Sequence, residues 1–363
     1  MSSILITGGT GFLGSHFLLR SQVLSIKKIY CLVRGDNVEH SRERVIKALH
    51  LANEGYAEKY RIEDVLHQCI FIPADIESDF CGVDDAILRN IRESKIHSVW
   101  HFAASLNYED DKSDLIEKRN VLGTHNIISL SEKVNCNTFV YISTAYVAGK
   151  NTGDIKESLN PVDGEFNNYY EYSKNTAENL VSDLCADKGL NYRIMRPSIV
   201  IGPKSTMKPA GSTTGLYGLL KLMRQMARIV NNKKQVVRIR VKGESKLNFI
   251  PVDKVVDDAF TLFDQNFSQG PIYHLTADDC LTFNQCKDVF ETLMDVELLN
   301  FVENDIIEPS PLELIIQKKM TFYNAYINSS QQFERTLTSH NGINKSEFEQ
   351  YCISALNRKN ANI

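Results

Sequence analysis

The chain has 363 residues, 43% hydrophobic and 24% charged, with 41 basic against 45 acidic side chains and a formal net charge of -4. That length and composition fit two soluble globular domains, or one large one with an elaboration, and exclude disordered, collagen-like and disulfide-scaffold chains. The near-neutral balance offers no global attraction to nucleic acid or to an anionic membrane surface, and no apolar run approaches the roughly 18 residues of a spanning helix.

The N-terminal residues run straight into a strand without a charged, cleavable leader, which predicts a cytoplasmic protein. Hydrophobic periodicity predicts strands at 4–7, 28–33, 69–72, 98–102, 138–142 and 192–195. Helices are predicted at 12–23, 38–53, 84–92, 115–134 and 170–187. This alternation implies an α/β fold, a doubly wound parallel sheet covered on both faces, with ligands at the carboxyl ends of its strands. From residue 202 the rhythm breaks. Residues 202–218 are rich in Gly, Pro, Ser and Thr and read as a covering loop, with a short return to the sheet near 247–251. Beyond 270 the pattern is mixed, and Pro309 and Pro311 precede a helical tail. In that tail, Phe322 to Tyr326 either line an apolar pocket or simply pack.

Eight cysteines are scattered without a CxxC pair and read as reduced thiols. His97 and His101 flank a strand-like stretch rather than a helix turn, and there is no HExxH, so no metal site is assigned.

After the first strand comes a glycine-rich run from Thr7 to Gly14. Gly9, Gly11 and Gly14 fit G-x-G-x-x-G, and Gly8, Gly11 and Gly14 fit G-x-x-G-x-x-G equally well. Such glycines permit a tight turn and close approach to a pyrophosphate, which the next helix meets with its free N–H groups. At the end of the second strand, about 20 residues on, an acid would bind a ribose 2′-hydroxyl and an arginine a 2′-phosphate. Arg34 stands there, with Arg42 and Arg44 behind it, which points to NADPH; Asp36 is the competitor and would favour NAD.

Tyr170 and Lys174 are four residues apart and share a helix face. An ammonium beside a phenol favours the phenolate and brings a pKa near 10 closer to neutrality. Upstream, Ser143 and Thr144 end a strand with hydroxyls suited to a substrate oxygen. Tyr169 and Tyr172 do not have the Y-x-x-x-K spacing.

In these motifs the chain resembles the extended branch of the short-chain dehydrogenase/reductases over about residues 3–260. The resemblance runs in order through Thr7 to Gly14, Ala74 to Ile76, His101 to Ala104, Asn120 to Thr124, Ser143 to Ala145, Tyr170 with Lys174, Arg196 to Ser198 and Pro251 to Asp253. Within that branch it is most similar to the fatty acyl-CoA reductase and thioester reductase group, through Cys31 to Arg34 with Arg42 and Arg44, Ser143 to Gly149, and Asn248 to Asp253. The resemblance implies a Rossmann core of residues 1–201, rejoined by 240–262, and a smaller interleaved C-terminal substrate-binding subdomain of 202–239 and 263–363. It implies that Gly8, Gly11 and Gly14 hold the pyrophosphate, with Thr10, Phe12 and Leu13 in the same turn. Arg34 and Arg44 would face the 2′-phosphate, Asp75 and Ile76 the adenine, and Ala103 would pass beneath the cofactor. Tyr170 would be the general acid, Lys174 its tuning partner on the nicotinamide ribose, and Thr144 the residue orienting the carbonyl. Pro197 and Ile199 would flank the nicotinamide, and Asn120 would support Lys174 through water. His101 reads as a strand-end packing residue.

Residues 221–242 carry Lys221, Arg224, Arg228, Lys233, Lys234, Arg238, Arg240 and Lys242 without an acid. The block suits CoA phosphates, an acidic acyl-carrier protein or a membrane surface; the plain alternative is a packed helix with a solvated face. Three functions remain. The first is NADPH-dependent reduction of an acyl thioester to an aldehyde, with a second hydride taking it on to the alcohol. The second is another extended-branch reaction, as in nucleotide-sugar epimerases/dehydratases or hydroxysteroid-type dehydrogenases. The third is an NADP-sensing binding protein without turnover, which would not need Thr144, Tyr170 and Lys174 together.

Overall fold

The computed structural model describes residues 2–24, 26–106, 113–264 and 271–357. In the first half, β1 (Ser2–Thr7), β2 (Ile26–Val33), β3 (Cys69–Pro73), β4 (Ile96–His101) and β5 (Thr138–Ile142) alternate with helices. These are α1 (Phe12–Arg20), α2 (Val38–Asn53), α3 (Ile62–Gln68), α4 (Asp85–Glu93), α5 (Ser113–Glu117) and α6 (Gly123–Lys133). The short β6 (Gly153–Ile155) leads to α7 (Tyr169–Asp187), β7 (Asn191–Pro197) and β8 (Ile199–Ile201). Then follow α8 (Leu216–Lys233), β9 (Val237–Arg240), β10 (Lys246–Leu247), β11 (Phe249–Pro251), α9 (Val252–Asp264) and β12 (Ile272–Leu275). The chain closes with β13 (Leu281–Thr282), α10 (Phe283–Leu293), β14 (Leu299–Val302), α11 (Pro311–Ile327), β15 (Gln331–Phe333) and α12 (Lys345–Leu356).

The central sheet has seven strands in the order β12-β7-β5-β4-β1-β2-β3, each parallel to its neighbours. Strand order reverses between β1 and β4, so the ligand crevice lies beyond their carboxyl ends. Alternate residues of β1 serve opposite faces. Ile4 and Ile6 join Phe17, Trp100 and Val140 in one core, and Leu5 joins Val99, Phe139 and Ile127 in the other. Burial on both faces is why the strand reads as an unbroken apolar run.

A third core belongs to the second half. Leu219, Met223, Met226 and Val230 of α8 pack with Phe290 of α10, Ile316 and Met320 of α11, and Phe348 of α12. Their spacing places them on one stripe of the helix. The late helices begin on reciprocal caps: Thr282 with Gln285, Ser310 with Glu313, and Asn344 with Glu347.

Three features depart from the sequence expectation. The segment 263–363, of which 265–270 and 358–363 lie outside the described residues, does not all lie on the substrate side. Its strand β12 pairs with β7 in the central sheet, where its four buried residues cover an otherwise open edge. The helix expected over 115–134 is interrupted by a π turn, Lys118–Leu122, between α5 and α6. The parallel pair β6 and β15 has no predicted counterpart, because three-residue strands are too short to register as periodicity. Among the described residues, no helix is long and apolar enough to cross a membrane.

Candidate active site

The turn after β1 is built around Gly8, whose φ of +73° favours glycine. A Cβ there would lie 2.5 Å from the backbone nitrogen of Ala103, and one on Gly14 would lie 2.2 Å from the Gly8 oxygen. The turn closes through Gly11 N–H donating to the Gly8 oxygen at 2.9 Å. Gly8, Gly11 and Gly14 line the cavity below, whereas Gly9 faces the Leu18 side chain. The glycine frame is therefore the G-x-x-G-x-x-G one. Helix α1 starts without a side-chain cap and without an acid in its first turn, leaving its N–H groups and positive dipole end to an incoming anion.

One cavity of about 280 Å³ joins this turn to the carboxyl ends of β5 and β7 and to the second subdomain. Of the residues expected from sequence, Gly8, Gly11, Phe12, Leu13, Gly14, Thr144, Tyr170, Lys174, Pro197 and Ile199 meet on its wall. Thr10, Arg34, Arg44, Asp75, Ile76, Ala103 and Asn120 are not on that wall.

Helix α7 is capped by the Asn168 side chain, which accepts from the Glu171 N–H, and presents Tyr170, Lys174 and Glu178 on one buried face. Lys174 is 1% exposed and donates from Nζ to the Ile142 oxygen at 2.7 Å. Its ammonium lies 4.1 Å from the centre of the Tyr141 ring. Burial lowers Lys174 to about 7, opposed by the Glu178 carboxylate one turn on. Glu178 itself is held by a forked pair from Arg196 of β7, at 2.9 and 2.5 Å.

Thr144 stands at the end of β5, its hydroxyl accepting from the Tyr146 N–H at 3.3 Å and 3.5 Å from the Pro197 oxygen. The neighbouring Ser143 hydroxyl also reaches the cavity and is buried without a hydrogen-bond partner. An unpaired buried hydroxyl costs on the order of 1–3 kcal/mol. Together with the glycine cradle, it fits a site completed by a polar ligand.

Asn120 is committed elsewhere: it accepts from the Ser105 N–H at 2.7 Å and donates to Ser173 Oγ at 2.9 Å. It thus braces α7 beside Lys174. His101 is wedged between Thr7 Oγ1 at 2.6 Å and Thr124 Oγ1 at 3.2 Å. Burial, and then the Lys174 charge, lower it to about 3, so it stays neutral. Arg34 Nη2 lies 3.3 Å from Glu77 and 3.7 Å from Asp75, and Arg44 donates to the Arg34 carbonyl.

The far wall was poorly marked in the sequence. Leu216 and Leu219 of α8, Leu247, Phe249, and Phe322, Tyr323, Tyr326 and Ile327 of α11 enclose it. Tyr326 packs edge-on against Tyr146 at 4.6 Å, so α11 reaches the strand-end motif. Asn248 ties the two halves together, accepting from the Ser198 hydroxyl at 2.5 Å and the Ala277 N–H at 2.9 Å.

A Gly14→Ala substitution tests the cradle. Its Cβ has no room against the Gly8 carbonyl, so nucleotide affinity is expected to fall on the order of tenfold or more. Fluorescence titration with NADPH measures this, with circular dichroism confirming the fold; unchanged affinity would remove the pyrophosphate assignment.

The parallel sheet, whose strand order reverses between β1 and β4, and the glycine turn are those of an extended short-chain dehydrogenase/reductase fold, whose cofactor class is a nicotinamide dinucleotide. Residues 6–259 match the Male sterility protein family, and the chain belongs to it. It is 32% identical over 165 residues to probable fatty acyl-CoA reductase 5 of Arabidopsis thaliana, covering 43% of this chain and 33% of that protein. It is 26% identical over 321 residues to the nonribosomal peptide synthetase asaC of Aspergillus flavus, covering 83% of this chain and 29% of that protein. The match thus spans about a third of the length of these relatives. The fold is that of the terminal R domain from the myxalamid PKS-NRPS pathway, with TM-score 0.77, 21% identity, and 99% and 91% of the two chains covered.

Proposed function

We propose that the chain is an NADPH-dependent reductase of acyl thioesters. The observation that carries this reading is the shared cavity whose lining brings Thr144, Tyr170 and Lys174 together with Leu216, Leu219, Phe249 and Phe322. A nucleotide sugar needs polar partners along its length, and such an apolar wall would leave its hydroxyls unpaired. Relatives named as fatty acyl-CoA reductases support an acyl chain there over a sterol.

When bound, NADPH would supply the hydride for the carbonyl carbon. The residues that would hold it are Gly8, Thr10, Gly11, Phe12, Leu13 and Gly14 at the pyrophosphate, Asp75, Ile76 and Ala103 near the adenosine, and Pro197 and Ile199 at the nicotinamide. Arg34 and Arg44 would meet the 2′-phosphate, and Asn120 keeps α7 in position. Tyr170 and Thr144 donate to the carbonyl oxygen where negative charge grows, and Tyr170 passes it a proton. The resulting hemithioacetal collapses when its hydroxyl returns a proton to the site. The carbon–sulfur bond breaks, the aldehyde forms, and the departing thiolate is protonated. One proton is consumed per hydride. A second cycle on the aldehyde gives the alcohol.

The substrate's carrier would be CoA or an acyl-carrier protein, met by part of the basic block. Lys221, Arg224 and Arg228 form an exposed row on α8, just beyond the cavity-lining Leu219. Arg238 and Arg240 are already paired with Glu313 and Asp305 and so do not belong to that surface. Reversing the three α8 charges to Glu is expected to raise KM for a carrier-borne thioester and to invert its salt dependence, so that added salt lowers KM. kcat with a short, carrier-free thioester should stay unchanged. Steady-state kinetics across ionic strengths measure both; equal effects on the two substrates would discard the docking role.

A further inference from the structure

The cavity accounts for the nicotinamide end of the cofactor and for the substrate, but not for a cluster at the outer end of the crevice. There the Glu77 Oε1 atom accepts from two arginines at once. Arg34 Nη2 approaches to 3.3 Å and Arg119 Nε to 2.9 Å. Arg34 comes from the end of β2, whereas Arg119 comes from the π turn between α5 and α6, immediately before the buried Asn120. An extra residue per turn is an uncommon backbone choice that concentrates at functional sites. Here it directs successive side chains to different tasks: Asn120 inward to Ser105 and Ser173, and Arg119 outward to Glu77.

The loop that carries Glu77 is fixed. Its own N–H donates to Asp75 Oδ1 at 3.1 Å, and the Ile76 carbonyl accepts from Asn126 Nδ2 at 2.8 Å. Gly123 lies under Ile76 so closely that a Cβ would come within 2.9 Å of it. The three charged side chains are about a quarter to a half exposed, so an incoming anion reaches them.

We propose that Arg119 and Arg34 together form a clamp for the 2′-phosphate of the nicotinamide nucleotide, with Glu77 holding them in register until the phosphate arrives. This inference rests on the NADPH reading above and names a specificity residue that the spacing rules for the β2 end do not reach. The charge count favours it. Among the side chains linked by these contacts, Arg34, Arg44 and Arg119 meet Asp75 and Glu77, three cations against two carboxylates. A ribose phosphate carries between one and two negative charges at neutral pH, and guanidinium forks match its oxygens in pairs. A single carboxylate oxygen shared by two guanidiniums is a poorer acceptor than three phosphate oxygens.

The test uses the full chain and reads binding rather than turnover. Dissociation constants for NADPH and NADH are measured by fluorescence titration on the wild type, Arg119→Ala and Arg119→Lys, with thermal unfolding to confirm folding. Arg119→Ala is expected to weaken NADPH on the order of tenfold and to leave NADH unchanged, with Arg119→Lys in between. The same pattern is expected with adenosine 2′,5′-bisphosphate against adenosine 5′-monophosphate. A purely structural role for Arg119 would move both members of each pair together, and that result overturns the assignment. If the wild type prefers NADPH but Arg119→Ala and Arg119→Lys keep that preference, the clamp fails while the functional reading stands. If the wild type binds neither nucleotide, both fail.

Discussion

Replacing Tyr170 by Phe is expected to lower reductase turnover by roughly two to four orders of magnitude while leaving NADPH affinity nearly unchanged. The ring packs as before, because Tyr170 is 9% exposed on the sheet-facing side of α7 and Phe fills the same volume. On the proposed mechanism, what is lost is the general acid among the Thr144, Tyr170 and Lys174 side chains that line the cavity. The neighbouring ammonium can tune a phenol but cannot replace it, since Lys174 Nζ is engaged with the Ile142 carbonyl, 2.7 Å away. Single-turnover oxidation of NADPH by an acyl-CoA measures the chemical step directly. A Tyr170→Phe enzyme with full turnover would falsify the general-acid assignment.

The second large effect concerns stability. Arg196 and Glu178 have fully buried side chains, and the guanidinium also donates to the Ser158 carbonyl at 2.9 Å. Removing one partner leaves a buried charge without its counterion, which costs about 3–5 kcal/mol. Glu178→Ala is therefore expected to lose that amount in urea unfolding. Replacing both residues by apolar side chains of similar volume should recover most of it. A loss below about 1 kcal/mol for the single variant would mean that water reaches the pair. Glu178 also raises Lys174, whose burial holds it at about 7. Because that folded value lies below the unfolded one, the lysine weakens folding progressively as pH falls from the ordinary lysine range to about 7, and fully below it. Glu178→Gln moves Lys174 further down, so the loss of folding stability continues to lower pH and activity falls off as pH rises through a lower value.

Much of the sheet was legible because its strands are buried on both faces and separated by amphipathic helices. Ile4 to Ile6 and Phe139 to Ile142 are unbroken apolar runs, and the glycine turn sits where the fold requires it. The spacing of Tyr170 and Lys174 identified the helix face that reaches the cavity. What stayed hidden depended on partners far away in the chain. The basic block after residue 220 reads as one positive surface, yet Arg238 is neutralised by Glu313, 75 residues on, and Arg240 by Asp305. Strand β12 is only four residues long, and its place beside β7 follows from tertiary pairing rather than from any local pattern. The π turn at Lys118–Leu122 left no trace in a helical periodicity that continues on either side of it. Arg34 stands out in the sequence as a cation at the end of β2, whereas the Glu77 that shares it with Arg119 lies 43 residues away and follows from no spacing. The apolar wall drew on α8 and α11, whose cavity-facing residues look like ordinary core positions until the two halves are brought together.

On the proposed function, this cavity joins hydride transfer to an acyl thioester. Mixing the protein with NADPH and a long-chain acyl-CoA, while following nicotinamide absorbance, thiol release and trapped aldehyde together, tests it most directly. The predicted result is one thiol released for each thioester consumed, with one NADPH oxidised per aldehyde or two per alcohol. NADPH that stays reduced with every acyl-CoA and carrier-borne thioester, while a nucleotide sugar is converted without net nicotinamide oxidation, would contradict it.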